Sequence, residues 1–482
     1  MITDPLGYLE LLHLNLNAKM VITDSGGLQE EATVLGVPCI TLRNNTERPI
    51  TCEVGTNIVV GNSRDKILRH ALAVLNGDVP PGKVPEKWDG KAAENGYLLN
   101  ASGSPHMTAN NDGTRMKRTR PIRICILGPS LEIVGGQAVQ IQRLRMRLAS
   151  IPELEVSFLP INPRLMGPLR LLQRVKYVRT IVTSFAYGLS LLWRMPRLDI
   201  VHALSASYWS FLLAPVPALL FGRLFRKGVI LDYRSGEADD HLTRWRIAAP
   251  LMRLAHLIVV PSNYLVDVFA RHGLKARAVP NFVEIEQLPY RQRDLLRPLF
   301  LSNRGFEALY NVSCVLRAFG RIQARMPQAK LVVAGDGRLR GRLQGEARDL
   351  GLRNVTFCGA VPSDRMATLY HEADVYLNAP DIDNMPSSIL EAAACGLPIV
   401  SSDAGGIPYI VRHGVTALLI PRDDDAALAA AALRLFEEPG LASRLAAAAR
   451  AEVLDRYTWS AAEAHWMDTY RLVARGEAPT GV

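Results

Sequence analysis

Apolar and polar positions divide the chain into distinct regimes. From residue 120 onward, short runs of Ile, Val and Leu recur. They occupy 122–129 (IRICILGP), 154–160, 199–205, 228–235 and 257–262, then 330–337, 355–361, 374–380, 398–405 and 417–421. They show no steady apolar/polar alternation, so each reads as a strand buried on both faces, as in a parallel sheet. Helical spacing separates them, and this alternation predicts an α/β architecture built twice. The apolar pattern lapses at 283–297, after PNFVE, where a boundary is expected. It lapses again over 86–118, which ends in Asn, Gly, Ser, Thr and Pro and reads as a linker up to Met116. The expected organisation is residues 1–98, a linker at 99–118, and two domains at 119–290 and 291–475. A chain beginning at Met116 is expected to fold alone.

The first segment echoes the last. Residues 18–40 (AKMVITDSGGLQEEATVLGVPCI) and 373–400 (ADVYLNAPDIDNMPSSILEAAACGLPIV) both run strand, loop, short helix, Gly-x-Pro, strand. Glu31-Ala32 and Glu391-Ala392 stand in the same place before Gly36 and Gly396. Glycine suits the left-handed position that ends a helix, and a proline follows two residues later. Residues 1–98 therefore read as half of a domain related to the C-terminal one.

Composition narrows the class. Of 482 residues, 48% are hydrophobic and 21% charged, as in a soluble globular protein with a large core. Six scattered cysteines without a C-x-x-C pair exclude a disulfide scaffold and a cysteine zinc site, and point to a reducing compartment. The N-terminus carries acids before its apolar residues, unlike a secretory signal. No run reaches the ~18 apolar residues of a spanning helix; the nearest is 180–193, between Arg179 and Arg194. A cytoplasmic protein is expected. Charge is uneven: Lys and Arg against Asp and Glu number 10 to 13 in residues 1–115, 24 to 11 in 116–290, and 22 to 22 in 291–482. The basic middle favours an anionic partner.

The strongest candidate chemistry is Asp383–Glu391 in DIDNMPSSILEAAACGLP. A loop after a strand meets a helix starting near Ser387, whose free N–H groups and partial positive charge suit a phosphate. Glu391 can reach a ribose diol and Asp383 sugar hydroxyls. The same residues also spell a capping box, Ser388-x-x-Glu391, which needs no ligand.

These residues carry a resemblance. Residues 120–475 look like a retaining family 4 glycosyltransferase of the GT-B fold, two Rossmann-like domains, with Asp383-x7-Glu391 in place of the family's Glu-x7-Glu. The resemblance makes Glu391 the ribose ligand and Asp383 a sugar ligand, both at the catalytic centre, with Asn384 and Met385 against the donor sugar. It places Gly135 and Gly136 beside the donor phosphates and makes Arg304 half of an Arg…Lys clamp whose lysine position falls at Tyr310. Arg234 stands where many relatives carry a histidine, with His241 seven residues on. Asn281 matches a Pro-Asn turn, and Gly335-Asp336-Gly337 a turn after a strand. No metal and no cofactor beyond the nucleotide-sugar donor are expected, because relatives hold the diphosphate with a helix dipole and Arg or Lys.

Residues 1–98 are similar to the C-terminal part of a non-hydrolysing UDP-N-acetylglucosamine 2-epimerase. That resemblance assigns Ser25, Gly26, Gly27 and Glu31 to UDP, flanked by Arg43 and Thr46–Pro49. It covers about the last quarter of such an enzyme, so epimerase activity is not expected, and an open sheet edge is.

The resulting expectation is a glycosyltransferase that moves a sugar, from a UDP-sugar by preference, to an acceptor hydroxyl with retention, in cell-surface polysaccharide or glycolipid synthesis. Its partners would be the nucleotide-sugar, a glycan or lipid-linked acceptor, and no nucleic acid. Residues 164–198, apolar and basic, read either as a surface on anionic membrane, placing the protein peripherally on the inner face, or as a helix with a solvated basic face. Two alternatives stay open: an inactive epimerase-related protein, and a nucleotide-sugar binder without catalysis.

Overall fold

The computed structural model describes residues 8–43, 46, 49–78, 83–85, 120–130, 136–163, 176–205 and 207–476. The chain separates into two units, Met1–Met116 and Lys117–Val482.

In the first unit three short strands, β1 (Val21–Thr23), β2 (Cys39–Thr41) and β3 (Asn57–Val59), form a parallel sheet in that order. Helix α1 (Gly26–Leu35) links β1 to β2 and ends at Gly36, whose φ of 70° is left-handed as its position requires. Among the described residues the unit's apolar core is centred on Val21, Ala32, Val37 and Cys39. The helix Arg64–Asn76 fully buries none of its residues.

Among the described residues the second unit holds two six-stranded sheets, parallel throughout. The first contains β4 (Ile122–Gly128), β5 (Leu154–Pro160), β6 (Ile200–Ser205), β7 (Gly228–Tyr233), β8 (Leu257–Val260) and β9 (Arg277–Ala278), ordered β5-β4-β6-β7-β8-β9. The second contains β10 (Leu299–Asn303), β11 (Lys330–Ala334), β12 (Val355–Gly359), β13 (Val375–Asn378), β14 (Ile399–Ser402) and β15 (Leu418–Ile420), ordered β12-β11-β10-β13-β14-β15. The helices around these sheets include α2 (Gly136–Ala149), α3 (Lys176–Arg194), α4 (Pro215–Leu224), α5 (Ser387–Ala394) and α6 (Trp459–Ala474).

Each of the ten apolar runs contains a strand. The inner strands are buried as the unalternating pattern requires: every residue of β6, β8, β13 and β14 is buried, whereas the edge strands β5 and β12 leave most of their residues partly exposed, because one side has no neighbouring strand. Sequence reading missed β10 because LFLSN abuts the polar boundary segment. β9, of two residues, leaves too short a trace to read.

The final helix changes the picture of the second domain. Residues 459–474 lie within the span 291–475, yet Trp466, Tyr470 and Val473 of α6 pack into the first sheet's core with Ile124, Ile200 and Ile230. The chain crosses between the two sheets twice, side by side: Val283 N–H donates to the Tyr457 carbonyl at 2.9 Å. Among the described residues no helix is long and apolar enough to cross a membrane.

Candidate functional site

In open parallel sheets, ligands sit beyond the strand C-termini where strand order reverses. In the second sheet that point lies between β10 and β13. Arg304 follows β10 directly, and the loop bearing Asp381 and Asp383 follows β13.

The two are joined. Arg304 Nη2 donates to Asp383 Oδ2, and Nη1 donates to Ser388 Oγ at 3.2 Å. The Arg304 guanidinium lies over the Tyr310 ring, 4.1 Å from its centroid. Tyr310, at the expected lysine position, thus supports the arginine from one face instead of adding a second charge. Arg304 is enclosed, with 9% of its side chain exposed. Its Nε finds no partner. The turn Gly335-Asp336-Gly337 pins the same loop from β11: Arg304 N–H donates to Ala334 O at 3.1 Å and Phe306 N–H to Asp336 O at 2.9 Å.

Glu391 lies one turn into α5. The capping box does not form: Pro386 occupies the cap and no side chain bonds there. Glu391 faces across to the first sheet's domain, where Oε1 accepts from Arg143 Nη2 at 2.9 Å; Oε2 accepts from Tyr370 Oη at 3.1 Å. Arg143 belongs to α2, the helix after β4, and its Nη1 is buried without a partner. One face of α2 carries several contacts of this junction. Gln140 Nε2 donates to Ser387 Oγ at 2.9 Å and to Phe282 O at 3.2 Å, and Arg147 pairs with Glu284. Residues 140, 143 and 147 recur at helical spacing, a polar stripe visible in the sequence but not singled out there. Gly136 begins α2; Gly135 lies outside the described residues.

Arg234 leaves the end of β7 within a buried network. Its Nε donates to Asp232 Oδ2 at 2.9 Å and its Nη1 to Asn281 Oδ1 at 2.6 Å. Asn281 Nδ2 in turn donates to the Met385 carbonyl at 3.0 Å. Asp232 Oδ2 lies 3.1 Å from His202 Nε2. Burial would raise the Asp232 carboxyl, but Arg234 and His202 outweigh it and hold it below its ordinary range. His241 takes no part: it is buried among Tyr208, Phe211, Tyr233 and Trp245, and burial pushes its imidazole down to about 4.

Two close approaches shape the loop 381–385. A Cβ on Gly406 would collide with the Asn384 carbonyl, and one on Gly405 with the Asp383 carbonyl. Gly406 N–H instead donates to Asp383 O at 3.0 Å. Across the cleft, a Cβ on Gly236 would stand 3.1 Å from Ile382 and 3.4 Å from the backbone of Asp383. Asn384 Oδ1 accepts from Ser262 Oγ, while its Nδ2 is buried without a partner. The site therefore gathers Asp383, Glu391, Arg304, Asn384, Met385, Ser387 and, through Asn281, Arg234.

Known proteins are similar to this half of the chain. Residues 291–452 match the family of glycosyl transferases group 1. The matched segment holds Arg304, Asp383 and Glu391. Over 304 residues, 58% of this chain and 70% of the relative, the chain is 26% identical to a glycogen synthase of Mycobacterium tuberculosis. Its structure resembles Anabaena HepE in complex with UDP, with a TM-score of 0.59 at 17% identity, covering 73% of this chain and all of that one. The fold is GT-B: two Rossmann-like sheets facing one cleft.

Residues 1–96 match a second family, UDP-N-acetylglucosamine 2-epimerase. Over 75 residues they are 57% identical to such an epimerase of Methanocaldococcus jannaschii, spanning 16% of this chain. The chain spans about a fifth of the length of the epimerases it matches. In this unit Ser25 precedes α1 without capping it, and its N–H donates to Thr23 Oγ1 at 3.0 Å. Gly26 and Gly27 form the first turn, and Glu31 Oε2 is buried without a partner. Gln29, buried beside them, accepts from Thr46 at 2.6 Å and Asn57 at 3.1 Å.

Proposed function

We propose that the chain is a retaining glycosyltransferase that uses a nucleotide-diphosphate sugar, UDP-linked by preference, and an acceptor hydroxyl on a cell-surface glycan or lipid-linked glycan. The observation that carries this is the meeting of Arg304, Asp383, Ser388 and Glu391 at the strand-order reversal, beside the N-terminus of α5. The donor diphosphate would lie at that N-terminus, where free N–H groups and Arg304 meet its charge. Glu391 would take the ribose diol, exchanging Arg143 for ligand hydroxyls. Asp383, with backbone at Asn384 and Met385, would orient the sugar. Arg234 acts as a positioning residue through Asn281 and Met385 O.

In the reaction the bond from the sugar's anomeric carbon to the diphosphate oxygen breaks. The acceptor oxygen bonds that carbon on the same face, and its proton passes to the departing phosphate oxygen. The protein orients the partners and stabilises the developing phosphate charge. Relatives support the donor class, since HepE was captured with UDP.

The test is acceptor-dependent release of free UDP, followed by NMR of the new linkage. The expected result is UDP release that requires acceptor extract and falls sharply in Asp383→Ala, with the donor's anomeric configuration kept. An inverted product rules out retention, and nucleotide binding with no acceptor-dependent release rules out catalysis.

A further inference from the structure

Helix α3 is apolar on two sides. Tyr187, Leu191 and the following Met195 point inward and pack with Cys125, Leu127 and Val201 of the first sheet. Ile181, Phe185, Leu189 and Trp193 point outward, each between 58% and 73% exposed, and Leu192 stands with them. At 100° per residue these five fall within an arc of roughly 120°. A helix on a water-facing surface normally fills that arc with polar side chains.

The neighbouring helix extends the surface. Helix α4 lies alongside α3: Tyr187 Oη donates to Ala214 O at 2.9 Å, and Phe221 and Phe225 pack beside Tyr187 and Leu191. Leu220 and Leu224 of α4, one turn apart, are exposed. Lys227, just past α4, donates to Pro196 O at 3.1 Å and ties the two helix ends together.

Charge selects the occupant. Between Glu155 and Asp232 the sequence has one carboxylate, Asp199, against ten Lys and Arg. Asp199 is neutralised by Arg120 at 2.8 Å and Arg123 at 3.2 Å. Arg179, Arg197, Arg223 and Arg226 are exposed around the apolar ridge, and the Arg197 guanidinium lies 4.5 Å from the Trp193 ring centroid. Aromatic and aliphatic side chains rimmed by arginine, on a stretch of sequence whose one acid is already paired, match the boundary between acyl chains and anionic headgroups. A protein partner of mixed charge gives no reason for such a one-signed rim.

We propose that the outer faces of α3 and α4 form a docking surface for an anionic lipid bilayer, with Phe185 and Trp193 inserting and the arginines holding headgroups. This inference does not rest on the proposed reaction, and its test reads no activity.

The test is flotation of the full chain with phosphatidylcholine vesicles, with and without phosphatidylglycerol. Binding is expected only to the anionic vesicles, weakening as salt rises. The double variant Phe185→Ser, Trp193→Ser should lower the vesicle-bound fraction at least tenfold without changing the melting curve, since both residues are exposed. Arg179→Gln with Arg197→Gln and Arg226→Gln should lower it and flatten the salt dependence. If the serine variant misfolds, brominated phosphatidylcholine mixed into the anionic vesicles must still quench tryptophan fluorescence of the unaltered chain. No binding to anionic vesicles, equal binding to neutral ones, or full binding by the folded serine variant overturns the proposal. So does a concentration-dependent dimer that the serine variant dissolves, because the face is then covered by a second copy.

Discussion

At the residue scale, the central feature is that both cleft acids already hold arginines. Glu391 and Arg143 are nearly buried, with side-chain exposures of 14% and 10%. Removing one member of such a pair strands the other charge. Glu391→Gln is therefore expected to lower the melting temperature and to weaken nucleotide binding by roughly 10- to 100-fold, the loss of a hydrogen bond to a charged group. Adding Arg143→Gln should restore the melting temperature while affinity stays low. A double variant that recovers both would assign Glu391 to the domain junction alone. A second residue makes a pH prediction. His241 binds its proton only near pH 4, whereas in the unfolded chain it does so near the usual ~6.5. Between those values the unfolded state holds more protons, so stability falls as pH drops through that window. His241→Phe, which suits the surrounding rings, should remove part of this decline in thermal melts at stepped pH. His256, also pushed down by burial, keeps the remainder. A variant with an undiminished slope would place the titration elsewhere.

At the element scale, strands were legible and their neighbours were not. Unbroken Val, Ile and Leu runs marked the strands because the inner strands of these parallel sheets are covered on both faces. The left-handed end of α5 was legible too, since Gly396 has φ of 76°. A Cβ there would also meet Arg291 O at 2.8 Å and the Tyr290 ring at 2.7 Å. Gly396→Ala should cost at least about 2 kcal/mol, more than the backbone term of ~1–2 alone implies, as read by urea denaturation. The capping reading of Ser388 and Glu391 failed because Pro386 takes the cap and Glu391 points across the cleft. Arg143 and Tyr370 went unread because their roles exist only after distant segments meet. The same holds for Asp374, fully buried beside Arg291, Arg293 and Arg297, with Arg293 reaching the Ala373, Tyr370 and Cys395 carbonyls. This cluster fixes the segment between the sheets to β13. Asp374→Asn should destabilise the second unit by about 3–5 kcal/mol, because the buried Arg293 loses its counter-charge. A shift under about 1 kcal/mol would contradict that account.

At the scale of the whole molecule, matches to two family models lie in one chain, at residues 1–96 and 291–452, and each likeness was readable from a motif: SGGLQEE near the start, DNMPSSILEAAACGLP near the end. The domain course was less readable. The return of α6 to the first sheet brings Tyr470 to His202, 2.8 Å apart and 268 positions distant, a pairing no local pattern announces. The two glycine-ended helices also leave two candidate nucleotide sites, one at Ser25–Glu31 and one at Arg304–Glu391. Under the proposed function, the donor binds at the second. The most direct test is calorimetric titration of UDP into the full chain and into a chain beginning at Met116. The account predicts one site per chain with the same affinity in both, abolished in each by Arg304→Ala together with Asp383→Ala. Loss of binding on removing residues 1–115, or binding that survives the paired substitution, would contradict it.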